Sequence, residues 1–248
     1  MKGWLSKVFQ ACRIVGFQPR ANFYVAKVDA LENEYGWAVT GVSGSNVSMT
    51  YRRDIELVFD ASSFKPNGSD AAPLQPLNSR IDLWYVAGNR ELNPMPLTTE
   101  KDFFLQNIRE YCRCLPQAST TVKELLDSVS ASWTKALEVV GNIRSLNRNC
   151  PTEVSRTSDS SILVRSALLL LSLATKVDVQ FNIQANSTHK GLDIILKPQC
   201  IVVYGERFNE PKMAEFLESR TTEKGEDSLS WTDIVTELEE KLLARGRK

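Results

Sequence analysis

The sequence predicts an α+β protein made of two similar halves, each a four-stranded antiparallel meander flanked by helices. At 248 residues the chain has room for two domains of ordinary size. In two separate regions apolar and polar residues alternate, which is typical of strands with one buried face. Helical periodicity flanks both regions, and short turns between consecutive strands favour antiparallel sheets with helices packed on one face.

Residues 1–20 form a basic amphipathic extension, with four basic side chains and no acid. Such a segment is compatible with a mitochondrial presequence or with the remnant of a longer upstream helix. Pro19 separates it from a helix predicted near residues 22–35. The apolar residues of that helix recur at spacings of four, three and four, and Gly36 is expected to end it in a left-handed conformation. These apolar residues are Tyr24, Val28, Leu31 and Tyr35.

The first β region follows Gly36. Alternating apolar residues predict three strands, beginning at Trp37, Val47 and Ile55. A fourth strand is predicted over residues 80–86, with Trp84 on the face opposite Ile81, Leu83 and Tyr85. A loop rich in Ser, Pro, Gly and Asn is expected over residues 62–79. We interpret Arg52-Arg53-Asp54 as a charged hairpin end, with a phosphate or acidic-peptide contact as the alternative.

Two helices are predicted next. Thr98 and Thr99 are candidate caps for a helix that Pro116 ends. The pattern Thr121-x-x-Glu124 is a capping box that opens a second, longer helix, which loses its apolar stripe near residues 147–149. The stripe includes Trp133, which we interpret as a core residue.

The second β region is predicted to hold four strands, over residues 162–173, 177–183, 192–196 and 200–204. The last two are expected to be separate strands joined across Lys197-Pro198-Gln199. Asn209 and Pro211 then open a helix, residues 220–228 form a polar linker, and Ser230 caps a final helix. The interior residues predicted for the first of these helices are Met213, Phe216 and Leu217.

Composition argues against several classes of function. Lys plus Arg and Asp plus Glu both number 30, whereas nucleic-acid-binding proteins usually carry a basic excess. The longest apolar run, around residues 167–174, is shorter than the ~20 residues of a membrane helix. The cysteines are odd in number and irregularly spaced, so we expect reduced thiols of an intracellular protein. They are Cys12, Cys112, Cys114, Cys150 and Cys200.

The sequence shows no catalytic constellation. The single histidine, His189, is expected in a turn at the surface, which leaves no evident partner for a nucleophilic Ser or Cys. No phosphate-binding glycine loop or paired metal-ligand spacing occurs. We interpret Asp178, Asp193 and Glu206 as isolated acids at solvent-facing positions. The expectation is therefore no enzyme, with no catalytic, cofactor-binding or metal-binding residues.

Two stretches carry a resemblance to a known family. The first runs from Gly36-Trp37-Ala38-Val39 through Ser43-Gly44-Ser45 to Met49–Asp60, and the second combines Ile81–Tyr85 with Phe103-Phe104-Leu105. They resemble the C-terminal region of the fungal KNL-family outer-kinetochore scaffold, the Spc-type protein of the KMN network. The resemblance covers residues 25–220, and it rests on one meander and a repeated architecture rather than on a chemical motif.

The resemblance implies a tandem pair of RWD domains, each similar to a ubiquitin-conjugating fold without its catalytic cysteine. It implies a first RWD-like domain at residues 21–117, a second at 118–220, and a linker with a C-terminal helix at 221–248. The implied function is docking of the scaffold onto the MIND complex, partly through a peptide tail of a MIND subunit, during chromosome segregation. The implied location is the nuclear kinetochore, and a coiled-coil subunit of the scaffold is a further implied partner.

Several expectations follow from where the chain departs from this family. The family's disordered N-terminal part and coiled coil are missing from these residues, so we expect a fragment or a truncated gene model. The groove between the halves and the last helix are the expected contact surfaces. One alternative is another RWD-type adaptor, such as a ubiquitin-pathway accessory protein or a different centromere subunit. A ubiquitin-conjugating enzyme is the other, but neither Cys150 nor Cys200 has the required His-Pro-Asn signature nearby.

Overall fold

The computed structural model describes residues 35–65, 79–89, 94–188, 191–222 and 230–246. In these residues the chain forms eight strands and four α-helices: β1 Trp37–Ser43, β2 Asn46–Tyr51, β3 Ile55–Asp60, β4 Asp82–Tyr85, α1 Thr99–Cys114, α2 Val122–Asn149, β5 Thr152–Ser158, β6 Ser161–Leu170, β7 Thr175–Thr188, β8 Gly191–Tyr204, α3 Glu210–Thr222 and α4 Trp231–Gly246. The predicted basic extension, nearly all of the helix near residues 22–35, and His189 lie outside the described residues.

The described residues divide into two compact units. The first comprises residues 35–65, 79–89, 94–97, 108–131 and 191, and the second comprises residues 98–107, 132–188, 192–222 and 230–246. The first unit therefore holds β1–β4, and the second holds α3, α4 and nearly all of β5–β8. The division into RWD-like domains at residues 21–117 and 118–220 stays a prediction.

The first unit is built on an antiparallel sheet with strand order β1-β2-β3-β4. The predicted alternation is confirmed, because β3 has the burial pattern of a strand with one face in the core. Cross-strand register aligns Val39, Met49, Leu57 and Leu83 in one row across the sheet. Three of these side chains are fully buried, and Val39 is half-buried.

Left-handed backbone shapes the entry to β1 and the turn that follows β2. Gly36 has φ +74°, as predicted, and its carbonyl accepts a hydrogen bond of 2.8 Å from the Arg52 N–H. Arg52 and Arg53 have φ +50° and +56°, a conformation that is costly for residues with a Cβ. The predicted hairpin at Arg52-Arg53-Asp54 is therefore present, and an anion contact there stays a prediction.

The capping box of α2 is confirmed. The Glu124 N–H donates to Thr121 Oγ1 at 3.2 Å, and the Thr121 N–H donates back to Glu124 Oε2 at 2.8 Å. The Thr121 hydroxyl also donates to Glu124 Oε2, at 2.9 Å, and the two hydrogen bonds that the carboxylate accepts from Thr121 hold the pKa of Glu124 below its ordinary value. Trp133, further along α2, is fully buried, as expected for a core residue.

The second sheet has the order β5-β6-β7-β8, and all four of its strands differ from the prediction. Strand β7, predicted over residues 177–183, is longer at both ends and runs from Thr175 to Thr188. Strand β5 was not predicted, because its sequence TEVSRTS has no apolar alternation and is largely exposed. The predicted separate strands 192–196 and 200–204 are one strand, β8, which continues through Pro198. Strand β6 ends at Leu170 rather than Leu173, because residues 171–173 form a 3₁₀ turn that ends at Ala174 with φ +46°.

Helices α3 and α4 pack together in the second unit. The Asn209 side chain caps α3 by accepting a hydrogen bond from the Lys212 N–H at 3.0 Å. At the start of α4 the Ser230 hydroxyl donates a hydrogen bond to the Asp233 carboxylate. Arg220 of α3 donates two hydrogen bonds to the Glu237 carboxylate of α4, at 2.9 and 3.0 Å. The predicted linker therefore begins too early, because α3 continues to Thr222.

The core of the second unit lies between the inner face of its sheet and α4. The indole of Trp231 stacks on Phe181 of β7, with ring centroids 4.6 Å apart. Of the three interior residues predicted for α3, Met213 and Leu217 are buried, whereas Phe216 is only half-buried, and the Lys241 ammonium lies 3.9 Å from its ring centroid.

Candidate functional site

The predicted isolated acids do not form a catalytic centre with one another. The prediction that Asp178 is isolated and faces solvent is wrong, because it is largely buried on β7, where Lys176 lies 3.5 Å and Arg165 4.0 Å from its carboxylate. Asp193 and Glu206 are exposed, and the Glu206 N–H donates to Thr175 Oγ1 at 2.8 Å. Within the described ranges, no group of His, Cys, Asp and Glu side chains could hold a metal ion.

Three of the four described cysteines are unsuited to act as thiolates. Burial raises the pKa of Cys112 and of Cys200 to about 12. Burial also raises the pKa of Cys150. Because the thiolate is the nucleophile in thioester chemistry, burial disfavours the reactive form of these three side chains. Cys114 is the exposed one, and its sulfur lies 3.7 Å from Glu110 Oε1.

Across the described parts of the chain, no helix has the length and hydrophobicity that crossing a bilayer demands.

The outer edge of β8 is closed to strand addition. The Leu192 N–H donates to Ser132 Oγ at 2.9 Å, and the Val202 N–H donates to Glu210 Oε1 at 2.8 Å. Backbone direction alternates along a strand, so Pro198 faces the same way as these two residues and has no N–H to offer. A partner strand would therefore find donors missing or occupied at three positions along this edge.

The other edge strands also have features that disfavour the addition of a partner strand. The register of β1 shifts between Val39 and Gly41, and that of β5 shifts between Arg156 and Ser158, so each edge strand contains a bulge. Strand β4 has only four residues, and the Leu83 carbonyl accepts a 2.7 Å hydrogen bond from Arg109 Nε. Short edges, bulges and covered carbonyls all disfavour pairing with another chain. A partner is therefore expected to contact side chains rather than add a strand.

One exposed surface of the first unit centres on Trp84, and we call it the Trp84 face. Trp84 is 49% exposed on the side of the sheet opposite Leu83, as its alternation predicted. Its cross-strand neighbour is Glu56, whose carboxylate accepts hydrogen bonds from Thr40 and Ser48 at 3.0 and 2.5 Å. These contacts place an indole beside a carboxylate that is already oriented.

Arg109 supports the indole from the edge of the sheet. Its Cζ lies 5.9 Å from the Trp84 ring centroid while its Nε is bonded to the Leu83 carbonyl. An arginine fixed at one atom restricts the aromatic ring beside it, so less rotamer freedom is lost on binding. Sequence reasoning missed Arg109, because nothing along the chain links a residue of α1 to β4.

A second exposed apolar surface lies at one end of the second sheet, and we call it the apolar end. The Glu206 N–H bond to Thr175 joins the chain just after β8 to the start of β7. Leu171 is 87% exposed in the adjoining turn, and Tyr204 is 55% exposed. The remaining exposed side chains of this surface are Leu169, Ile201 and Val203.

The last helix, which was one of the expected contact surfaces, has its apolar residues in the core. Trp231, Ile234 and Leu238 are buried, whereas Asp233, Glu240 and Lys241 are exposed. A partner could therefore reach only the polar side of α4. Contact through this helix or through the groove between the halves stays a prediction.

Comparison with known protein families places part of the chain in a described family model. Residues 24–140 match the model of the family described as the Knl1 RWD C-terminal domain. No curated protein matches the chain. The match supports a KNL1-type RWD region, and with it a kinetochore protein-interaction module. The matched range includes β1–β4 and the whole Trp84 face.

Proposed function

We propose that the chain is a non-enzymatic docking module of a KNL1-type, Spc-type fungal scaffold, and that it attaches this scaffold to the MIND complex at the kinetochore. The observation that carries the proposal is the match of residues 24–140 to the Knl1 RWD C-terminal domain. The second unit repeats the plan of a four-stranded sheet next to helices, which supports a tandem RWD arrangement. The process served is chromosome segregation in the dividing nucleus.

The chemistry of the cysteines supports a module without ubiquitin transfer. A conjugating enzyme needs an accessible cysteine of lowered pKa, and burial raises the pKa of Cys112, Cys150 and Cys200 instead. The exposed Cys114 donates a weak hydrogen bond to Glu110 Oε1, with the sulfur 3.7 Å from that oxygen.

We place the principal contact on the Trp84 face. Tryptophan and arginine are enriched among the residues that dominate binding energy, and here they are neighbours, with Arg109 bonded to the backbone. The closed sheet edges favour recognition by side chains over recognition by an added strand. A basic or amide-bearing side chain of a MIND subunit tail next to an apolar one would complement the Glu56 carboxylate and the indole.

The test is calorimetric titration of reconstituted MIND complex into the purified chain at physiological salt. Saturable one-to-one binding is expected for the unchanged chain. Trp84→Ala should weaken the affinity at least ten-fold, because truncation of a hot-spot aromatic costs ~2 kcal/mol or more. Leu171→Ser is the matched control, since it removes an exposed apolar side chain from the other unit.

The outcomes separate the candidate functions. Loss of affinity in Trp84→Ala but not in Leu171→Ser supports docking through the Trp84 face. The reverse result would move the contact to the apolar end and leave MIND docking standing. Absence of binding by a folded chain, shown by an unchanged circular dichroism spectrum, would reject MIND docking and favour another RWD-type adaptor role.

A further inference from the structure

The hairpin between β5 and β6 carries a cluster of hydroxyl groups at the protein surface. Ser158 Oγ lies 2.7 Å from Ser161 Oγ and 3.4 Å from Ser160 Oγ, and it accepts from the Ser160 N–H at 3.3 Å. Thr157 Oγ1 lies 2.7 Å from Ser161 Oγ. Residues 157–160 are all exposed. A serine in this hairpin is therefore accessible and is surrounded by hydrogen-bond donors.

Arg156 joins this hairpin to α1 within the second unit. Its Nε donates to the Ser158 carbonyl at 3.2 Å, and its Nη1 donates to Gln106 Oε1 at 2.8 Å. The guanidinium also lies 3.3 Å from the Asp159 carboxylate and 4.0 Å from that of Asp102. The guanidinium of this arginine is thus shared between the hairpin and one helix.

We propose that Ser158 is a phosphoacceptor for a basic-directed serine/threonine kinase, and that its phosphorylation competes with the contacts of Arg156 to α1. Arg156 stands two residues before Ser158, a position at which such kinases select a positive charge. The serine hydroxyl forms the new O–P bond to the γ-phosphorus of ATP. The bond from that phosphorus to the β-phosphate oxygen breaks, ADP leaves, and the hydroxyl proton passes to the kinase base.

The phosphoryl group would find donors already in place. The Ser160 N–H and the Ser160 and Ser161 hydroxyls surround Ser158 Oγ, and Arg156 is bonded to the same residue's carbonyl. A phosphoserine carries about −1.5 to −2 charges at neutral pH, which outweighs the single charge of a carboxylate. Asp159 is fully exposed and Asp102 lies at 4.0 Å, so both are weak competitors for the guanidinium.

Recognition by the kinase and contact with α1 exclude each other. A kinase that binds the Arg156 guanidinium must first remove it from Gln106 and Asp102. The rate of phosphorylation is therefore scaled by the fraction of molecules in which the Arg156 side chain has left α1. By reciprocity, a phosphate that holds Arg156 weakens the link between hairpin and helix.

The experiment treats the folded, full chain with γ-labelled ATP and the catalytic domain of a kinase that prefers arginine two residues before its target. Phosphate is expected on Ser158, located by tandem mass spectrometry, and is expected to be lost in Ser158→Ala. Ser155→Ala is the matched control, because Ser155 lies on the same strand but has Glu153 two residues before it. Gln106→Ala should raise the initial rate about three-fold or more, because it removes the 2.8 Å hydrogen bond that holds Arg156 on α1.

Hydrogen exchange of the phosphorylated chain tests the second half of the proposal. Amides of residues 152–163 and 98–107 should exchange several-fold faster than in the unmodified chain, while those of α4 should not change. Label on another residue, or label on Ser158 only after the chain is unfolded, would reject the phosphoacceptor assignment. An unchanged rate in Gln106→Ala together with unchanged exchange would reject the competition with α1.

Discussion

Gly205, directly after β8, has one of the most confined glycine backbones in the second unit. Its φ is +98°, and an added Cβ would lie 2.6 Å from the Ala174 carbonyl oxygen and 2.6 Å from the Thr175 Cα. Both contacts are with backbone, which cannot rotate away as a side chain can. Gly205→Ala should therefore disturb the turn between β6 and β7 and the hydrogen bond from Glu206 to Thr175.

The magnitude follows from two separable effects. The first effect is the cost of a left-handed backbone, and the second is the steric clash of the added Cβ. Gly44→Ala measures the backbone cost alone, since the φ of Gly44 is +62° and an added Cβ there would have no heavy atom within 4 Å. A left-handed L-residue costs ~1–2 kcal/mol, partly offset by ~0.4–1 kcal/mol from the stiffer unfolded chain, so Gly44→Ala should cost about 1 kcal/mol. Forcing atoms into the backbone beside Gly205 adds ~1–3 kcal/mol, so Gly205→Ala should cost ~2–4 kcal/mol.

Urea unfolding, followed by far-ultraviolet circular dichroism and by tryptophan fluorescence, measures both variants. Gly141→Ala is the control in the second unit, because Gly141 lies inside α2 with open space around it. This substitution should raise the free energy of unfolding by about 1 kcal/mol, whereas Gly205→Ala should lower it. Equal free energies of unfolding for Gly205→Ala and Gly44→Ala would refute the steric argument. A stabilised Gly205→Ala would refute the left-handed assignment as well.

Three further predictions concern the core, a helix end and the cysteines. Trp133→Ala should destabilise the protein by ~3–5 kcal/mol, since the indole is fully buried; a melting temperature unchanged within error would contradict this. Thr121→Ala should cost about 1 kcal/mol at neutral pH. The pKa of Glu124 is lowered in the folded chain, so the stability that its carboxylate contributes is present above the unfolded pKa and is lost as the pH falls through the folded pKa. The urea midpoints of wild type and Thr121→Ala should therefore converge in acid. Incubation with ubiquitin-charged activating enzyme should give no thiol-sensitive adduct, and an adduct abolished by Cys200→Ala would overturn the non-enzymatic assignment.

The strands with one buried face could be predicted, whereas β5 was missed and β8 was divided in two. Alternation identifies β2 and β3 because every second side chain enters the core. Strand β5 has little to bury, so its sequence carries no such signal. Pro198 suggests a break between strands, because proline is expelled from central strands, but at an edge its missing N–H faces away from the sheet. Local sequence does not identify which strand lies at an edge.

The candidate surfaces were only partly accessible to sequence reasoning. Alternation correctly set Trp84 opposite Leu83, which implies exposure. It did not reveal Arg109 beside the indole, nor the bond between Arg156 and Gln106, because both join elements that are distant along the chain. Side-chain partners of this kind depend on tertiary packing, for which local periodicity provides no information.

Pro198 has a consequence for crowding as well as for partner choice. Modules tethered beside one another on a shared platform meet at effective concentrations in the millimolar range. At such concentrations an open strand edge would recruit the same strand of a neighbouring copy, and pairing would propagate into a fibre. A proline at an outward position, with the Leu192 and Val202 amides already bonded, removes three donors that such growth would need. The edge thus allows dense arrays of this module to remain separate molecules.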